Sequence, residues 1–404
     1  MIQFCHYPFA MQYRRFGRTE LAMPVFSCGG MRYQHQWQDC DLAQIPAAGQ
    51  QNLAAIIEQS LALGINHIET ARGYGTSEMQ LGQILPKLPR EKLIVQTKVS
   101  PKENAETFRA DFEQSLNYLK LDYVDLLGLH GINNAEVLDY CLRPGGCLEV
   151  AQQLQAEGKV RFIGFSTHAP TEIIIQAIET NQFDYLNLHW YYIFQDNWPA
   201  IAAATAKDMG VFIISPSDKG GQLYNPPQKL VDLCQPLSPI VFNNLFCLSH
   251  PQIHTLSIGA SRPTDFAEHL KTLDYLDQAE VVLAPILEKL EQALIDTFGK
   301  EWVDTWQLGL PSPEAVPNNI SIRTILWLRN LALAYDLTDY GKMRYNLLGN
   351  GGHWFPGQQA KNVQALDFSL CLQHSPHREI IPQLLQETDQ LLGGESVKRL
   401  SQST

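Results

Sequence analysis

Residues 93–130 read LIVQTKVSPKENAETFRADFEQSLNYLKLDYVDLLGLH. The stretch opens and closes on short apolar runs, LIVQTKV (93–99) and YVDLLGLH (123–130), each of strand length. Between them, ETFRADFEQSLNYLKL (106–121) repeats apolar residues at three- and four-residue spacing, the mark of a helix with one buried face. Two parallel strands need a crossover between them, and a helix of this length supplies it.

The same unit recurs on both sides. Strand-like runs precede it at PVFSCGG (24–30) and INHIET (65–70), and follow it at VRFIGFST (160–167), YLNLHWYYI (185–193), VFIISPS (211–217) and TLSIGAS (255–261). Helix-like stretches lie at NLAAIIEQSLALG (52–64), CLEVAQQLQAEG (147–158) and PTEIIIQAIETN (170–181). Gly64 and Gly158 end two of them, as helix C-terminal glycines do. Eight strands alternating with helices over about 260 residues predict the α/β class, a (β/α)8 TIM barrel. The competitor is a doubly wound sheet, which favours a GxGxxG turn after the first strand; SCGGMRYQ (27–34) is not one. Segments 12–15 and 21–24 flank FGRTE and predict an N-terminal β-hairpin.

Beyond residue 275 the texture changes. LAPILEKLEQALIDTF, ISIRTILWLRNLALAYD and IIPQLLQETDQLLGG read as helices around a proline-marked loop, with NGGHWFPGQQ turn-rich and SVKRLSQST a frayed tail. The predicted organisation is a barrel over 12–272, a small α-rich C-terminal domain over 275–394 and a flexible tail over 395–404.

The 404 residues are 45% hydrophobic, enough for a large core. A net charge of −12 without a block of Lys or Arg argues against nucleic acid and anionic membranes as partners. Eight scattered cysteines without a CxxC pair suit reduced thiols and a cytoplasmic location. No apolar run reaches the roughly 18 residues of a membrane span, and the start lacks the pattern of a signal peptide.

Four groups able to hold or move one proton fall at or just beyond consecutive strand ends: Glu69 and Tyr74 in HIETARGYG, Lys98 in QTKV and His130 in LLGLH. In a parallel barrel those ends share one face, where active sites are built. A phenol titrates near 10, too high for ready proton exchange at neutral pH, and a nearby ammonium lowers that value. Tyr74 is therefore the candidate general acid, Lys98 its activator, Glu69 the support of the lysine, and His130 the group that aims a carbonyl. Taken singly, each has a plainer reading: a packed ring in a Gly-Tyr-Gly turn, a surface lysine, a core-edge histidine, a capping carboxylate. Their shared placement on one edge favours chemistry.

These motifs resemble the aldo/keto reductases. The family pattern GxNxxDTAxxYGxSExxLG is close to GINHIETARGYGTSEMQLG (64–82); QTKV, DYVDLLGLH, GKVRFIGFST and SIGASRPTDFAEHL match further family segments in order over about residues 12 to 272. The resemblance implies an NADPH-dependent reduction of an aldehyde or ketone, with hydride from the nicotinamide and the proton from Tyr74. It implies NADP(H) lying across the barrel mouth. Gly29, Gly30 and Met31 would lie near the nicotinamide ribose, Ser166 and Asn187 at the carboxamide, and Ser217, Gly220 and Gly221 at the diphosphate. Ser261 and Arg262 would take the 2′-phosphate, and Glu268 the adenosine. The chain departs from the pattern in places. Glu69 replaces aspartate, Thr167 replaces asparagine, Ile214 stands where a ring stacks on the nicotinamide, and Asp265 and His269 replace Arg or Gln and Asn. An acid beside a 2′-phosphate weakens the case for NADPH over NADH.

Some aldo/keto reductases carry a C-terminal ferredoxin-like domain with two C-x2-C-x2-C-x3-C-P runs. WQLGLPSPEAVPNNISI and LCLQHSPHREIIP resemble those runs with the cysteines gone: Val316-Pro317 and Ser375-Pro376 replace Cys-Pro pairs, and Cys371 alone remains. One thiolate cannot hold a [4Fe–4S] cluster, so no iron–sulfur cluster is expected. His374 and His377 near Cys371 lack a fourth ligand, so no metal is expected either. A small-molecule carbonyl substrate is the expected partner, with a protein partner through the C-terminal domain as a further candidate. The alternative function is an NADPH-binding sensor or interaction subunit with little turnover. The barrel-mouth aromatics Trp37, Trp190, Tyr191, Tyr192 and Trp198 are candidate pocket walls.

Overall fold

The computed structural model describes residues 10–350 and 356–395. The predicted tail 395–404, apart from Glu395, and residues 351–355 of NGGHWFPGQQ lie outside the described residues. The chain begins with the expected hairpin: β1 (Tyr13–Arg15) pairs antiparallel with β2 (Ala22–Pro24), Tyr13 opposite Pro24. Its side chains enter the barrel. Phe16 and Met23 are fully buried in one cluster with Ile94, Leu126, Tyr185 and Phe212. Gly210 leaves room for this plug, since a Cβ there would lie 2.6 Å from the Phe16 ring.

Eight parallel strands then close on themselves: β3 (Phe26–Gly29), β4 (His67–Glu69), β5 (Ile94–Val99), β6 (Val124–His130), β7 (Val160–Ser166), β8 (Tyr185–Leu188), β9 (Gly210–Ile213) and β10 (Thr255–Ile258). Each strand pairs with the next, and β10 returns to β3, with Leu256 opposite Phe26. This is the predicted (β/α)8 barrel with an N-terminal hairpin and a helical C-terminal region. Helices occupy the expected intervals, among them Ala47–Ala62, Ala105–Leu119, Cys147–Ala156 and Thr171–Glu179. Gly64 and Gly158 follow such helices with φ of +79° and +78°, a conformation glycine adopts without cost.

The largest shortfall against an apolar run is at β8, predicted over 185–193. β8 ends at Leu188, and Trp190-Tyr191 continue the run because they are buried outside the ladder. Trp190 stacks on Phe246 at 4.9 Å and packs against Trp198 at 5.2 Å. Trp190 therefore fills core, and Trp190 and Tyr191 at 2% and 0% exposure are not pocket walls.

The chain forms two compact units. One holds the described residues up to Gly220 together with Asn243–Ala279; the other holds Gly221–Phe242 and the described residues from Glu280 onward. The second unit is helical. Ile322–Tyr335 is its most buried helix, with Ile325, Leu326, Leu328 and Ala334 fully covered, and it packs against Thr338–Tyr345 and Ile381–Leu392. Polar ties fix the packing: Tyr345 Oη donates to Asp389 at 2.6 Å, and the Trp302 indole N–H donates to Asn330 at 3.1 Å. No helix of the described residues is long and apolar enough to cross a membrane.

Candidate active site

In β5, alternate residues point inward, so Ile94, Gln96 and Lys98 stack up the barrel interior. Lys98 lies opposite Gly128 of β6, and a Cβ at Gly128 would sit 2.9 Å from Lys98 Cγ. The missing side chain is thus the notch through which the lysine stem passes. Lys98 is 1% exposed, and its ammonium pairs directly with Glu69 on β4, itself 3% exposed. It also donates to the Thr70 carbonyl at 2.7 Å.

Tyr74 stands in the loop beyond β4, held by its own N–H to the Ala71 carbonyl. Its hydroxyl lies 3.5 Å from Glu69 Oε1. Lys98 Nζ meets the tyrosine by the ring face, 4.7 Å from the centroid, and not by the hydroxyl. The His130 ring meets Tyr74 edge-on at 5.7 Å and 86°. The structure therefore brings all four sequence-predicted groups to the C-terminal ends of β4, β5 and β6.

Their electrostatics differ from the sequence expectation in one respect. Burial, with a smaller contribution from Tyr33, pushes the Tyr74 phenol above its usual value, where a lowering by Lys98 was expected. Glu69 explains the difference. Its carboxylate closes on the ammonium, and a close ion pair presents little net charge to the phenol. Burial also pulls the Lys98 ammonium well below its usual value. The extra methylene of glutamate over aspartate lets this carboxylate reach both the lysine and the edge of the phenol.

Below this quartet the barrel interior is polar. Ser27 Oγ bonds His67 Nδ1 at 2.6 Å and Thr255 Oγ1 at 2.7 Å. Gln96 Nε2 donates to Asn187 Oδ1 and Tyr185 Oη, both at 3.3 Å. Burial, then the Lys98 charge, bring His67 down to about 3, so it is neutral. The sequence reading singled out Glu69 and Lys98 but not His67 and Gln96. Both lie two residues earlier on the same strand faces, so the period of two was the available signal.

The proposed cofactor positions are spread along the rim of β3, β7, β8, β9 and β10. A Cβ on Gly29 would lie 2.4 Å from Ser257 Oγ, and one on Gly30 would lie 2.5 Å from the Glu69 carbonyl, so both backbones are tightly placed. Met31 is half-buried. Ser166 lies opposite His130 and accepts from Gly131 N–H at 3.1 Å. Asn187 is fully buried, and its Nδ2 donor has no partner. Ser217 is 3% exposed, and a Cβ on Gly220 would lie 1.9 Å from the Pro216 carbonyl. Gly221, with φ of +126°, opens the second unit. Glu268 pairs with Lys271 at 2.6 Å. Ser261 and Arg262 bond Asp265, through Ser261 N–H at 2.9 Å, Ser261 Oγ at 3.0 Å and Arg262 Nε at 2.8 Å. An orphaned amide donor at Asn187 and close-set glycines fit a nicotinamide dinucleotide. A cluster outside the prediction joins His168, His189 and Lys219, with Lys219 Nζ at 3.1 Å from His189 and 3.3 Å from His168.

Residues 27–220 match the model of the Aldo/keto reductase family. The chain is 34% identical over 175 residues to L-galactose dehydrogenase of Arabidopsis thaliana, covering 40% of this chain and 54% of that protein. It is also 34% identical over 122 residues to the NADH-specific methylglyoxal reductase of Escherichia coli, covering 25% of this chain and 36% of that protein. The alignments thus span about half or less of these relatives. Among solved structures, an aldo-keto reductase from Klebsiella pneumoniae in complex with NADPH matches with a TM-score of 0.54 at 19% identity. That match covers 68% of this chain and 96% of the other, and it shows the shared fold.

Proposed function

We propose that this chain is a nicotinamide-dependent aldo/keto reductase that reduces an aldehyde or ketone to an alcohol. The observation that carries the reading is the closed quartet of Glu69, Tyr74, Lys98 and His130 at the C-terminal ends of three neighbouring barrel strands. A reduced dinucleotide, when bound across the rim, would supply the hydride for the carbonyl carbon. Tyr74 Oη holds the proton for the carbonyl oxygen. A phenol with a raised pKa still donates to an alkoxide, because the alkoxide is the far stronger base. His130, against the Tyr74 ring, aims the carbonyl toward that hydroxyl. Lys98 and Glu69 form a nearly neutral pair beneath the phenol, and Glu69 Oε1 accepts from the Tyr74 hydroxyl at 3.5 Å; after proton transfer the phenolate regains its proton from water once the alcohol has left.

Ser166 and Asn187 would hold the carboxamide, the Gly29–Met31 backbone the ribose, and Ser217 and Gly220 the diphosphate. The sequence resemblance alone would make the dinucleotide NADP(H), placing Ser261 and Arg262 at the 2′-phosphate and Glu268 at the adenosine; the contacts of Asp265 with the first two bear on that choice. Residues 12–272 would form the catalytic domain. Residues 275–394 would form a degenerate ferredoxin-like domain without a cluster, kept for packing or a protein partner. Iron and acid-labile sulfide in anaerobically purified protein would contradict that last reading. The reaction is tested by steady-state oxidation of NADPH and NADH with a panel of aldehydes and ketones. Turnover that Tyr74→Phe removes supports the proposal; tight dinucleotide binding with no turnover on any carbonyl opposes it.

A further inference from the structure

The turn after β10 places four donor-to-acceptor contacts on one carboxylate. Asp265 Oδ2 accepts from Ser261 N–H at 2.9 Å, Ser261 Oγ at 3.0 Å and Arg262 N–H at 3.3 Å, and Asp265 Oδ1 accepts from Arg262 Nε at 2.8 Å. The carboxylate side chain is 16% exposed and the arginine 74% exposed, so the acid is the inner member of the pair. The turn is fixed on its other side by Asn52, whose Nδ2 donates to the Ser261 carbonyl at 2.8 Å. Burial works to raise the Asp265 pKa, but the bonds from Arg262 and Ser261 outweigh it, and the group stays below its usual value and ionised. Glu268 lies one turn on with a second carboxylate, and its nearest cation, Lys271, is paired with it at 2.6 Å.

Ser261 and Arg262 are the donors that an NADP(H) reading assigns to the 2′-phosphate. A phosphate would need to displace Asp265 from all four contacts, or sit as a dianion beside its carboxylate. Both are unfavourable, because like charges repel and the freed carboxylate would lose its donors. An unphosphorylated ribose asks for the opposite group. Its 2′-hydroxyl is a donor, and an acidic side chain accepts from it, as in dinucleotide folds that select NAD.

We propose that the Ser261–Arg262–Asp265 turn is a built-in anion substitute that selects NAD(H) over NADP(H), with Asp265 accepting from the adenosine ribose hydroxyl. This rests on the reading of the barrel rim as a dinucleotide site, and it replaces the 2′-phosphate role given to Ser261 and Arg262. The test is equilibrium binding to the full chain, followed by tryptophan fluorescence or calorimetry, with NADH, NADPH and 2′-AMP as separate probes. The wild-type protein should bind NADH at least about tenfold more tightly than NADPH, and 2′-AMP weakly. Asp265→Asn, which keeps the size of the side chain, should narrow that ratio at least about fivefold, mainly by improving NADPH. Asp265→Ser serves as a second variant should the first fold poorly by circular dichroism. Equal or tighter binding of NADPH by the wild type overturns the proposal, as does a ratio that neither variant changes. In that case NADPH-driven turnover of carbonyls would leave the reductase reading standing. Binding of neither dinucleotide would remove the reading of the rim and the proposal together.

Discussion

In the proposed reaction, Tyr74, Lys98 and Glu69 divide their work by reach. Tyr74→Phe removes the transferable proton and should lower kcat by about 10²–10⁴ with dinucleotide affinity unchanged, as measured by steady-state kinetics and binding. Glu69→Asp draws the carboxylate back by one methylene but keeps its charge, and activity should remain within about tenfold of wild type. Equal losses in the two variants would contradict this division. Glu69→Leu should cost stability as well, roughly 3–5 kcal/mol, because it leaves the Lys98 ammonium buried without its partner. Buried histidines give a pH signature. His67 is pushed to about 3, and His254 and His269 to about 4, all chiefly by burial. The unfolded chain then binds more protons than the folded one between pH 6.5 and these values, so stability is full above about 6.5 and is lost as pH falls. For His67 alone the loss is on the order of 4 kcal/mol by pH 3. Glu78, held up to about 7 by burial, acts in the opposite sense, contributing below its unfolded value and losing that contribution as pH rises through 7. The urea midpoint should fall between pH 7.5 and pH 4.5; an unchanged midpoint would show that these histidines titrate normally.

At the scale of elements, the ends of β4, β5 and β6 carry the candidate site. Gly128 opposite Lys98 leaves the space for the lysine stem. Gly128→Val should force Lys98 off its path and lower kcat at least about tenfold while the hairpin-plugged end of the barrel stays folded; near-UV circular dichroism with kinetics checks this. This notch also marks how far the sequence can be read. The runs LIVQTKV and YVDLLGLH place Lys98 and His130 at strand ends, since apolar length and period are local properties. Neither run says which residue faces which across the ladder or across the barrel, so the pairing of Lys98 with Gly128 follows only from register, and the contact of Gln96 with Asn187 only from closure of the barrel. For the same reason YLNLHWYYI suggests a long strand. Its local pattern cannot separate burial inside the barrel from the burial of Trp190 against Phe246 outside it. The tetrad was legible because it lies in one contiguous motif and two strand ends. The grip of Asp265 on Ser261 and Arg262 was half legible: the acid was visible in the sequence, but not that it takes their donors.

At the scale of the whole molecule, the second unit is drawn from two separated stretches. Lys289 Nζ donates to the Gln235 carbonyl at 2.6 Å, and Lys229 Nζ donates to the Leu333 carbonyl at 3.3 Å, so residues 221–242 are tied to residues from 280 onward. Truncation after Ala279 should leave 221–242 without these partners and make it the first site of tryptic cleavage, at Lys229, in limited proteolysis read by mass spectrometry. Equal resistance at Lys229 in the full and truncated chains would contradict the coupling. The split has a further consequence for a chain made from its N-terminus. The barrel ring can close once β10 reaches β3, at Ile258. Leu230, Cys234 and Leu237, buried in the finished protein, have by then left the ribosome without the residues that complete their unit. For the time needed to add the C-terminal segment, on the order of ten seconds, a nascent chain with a closed barrel still carries an unfinished apolar segment, which is a docking signal for a chaperone.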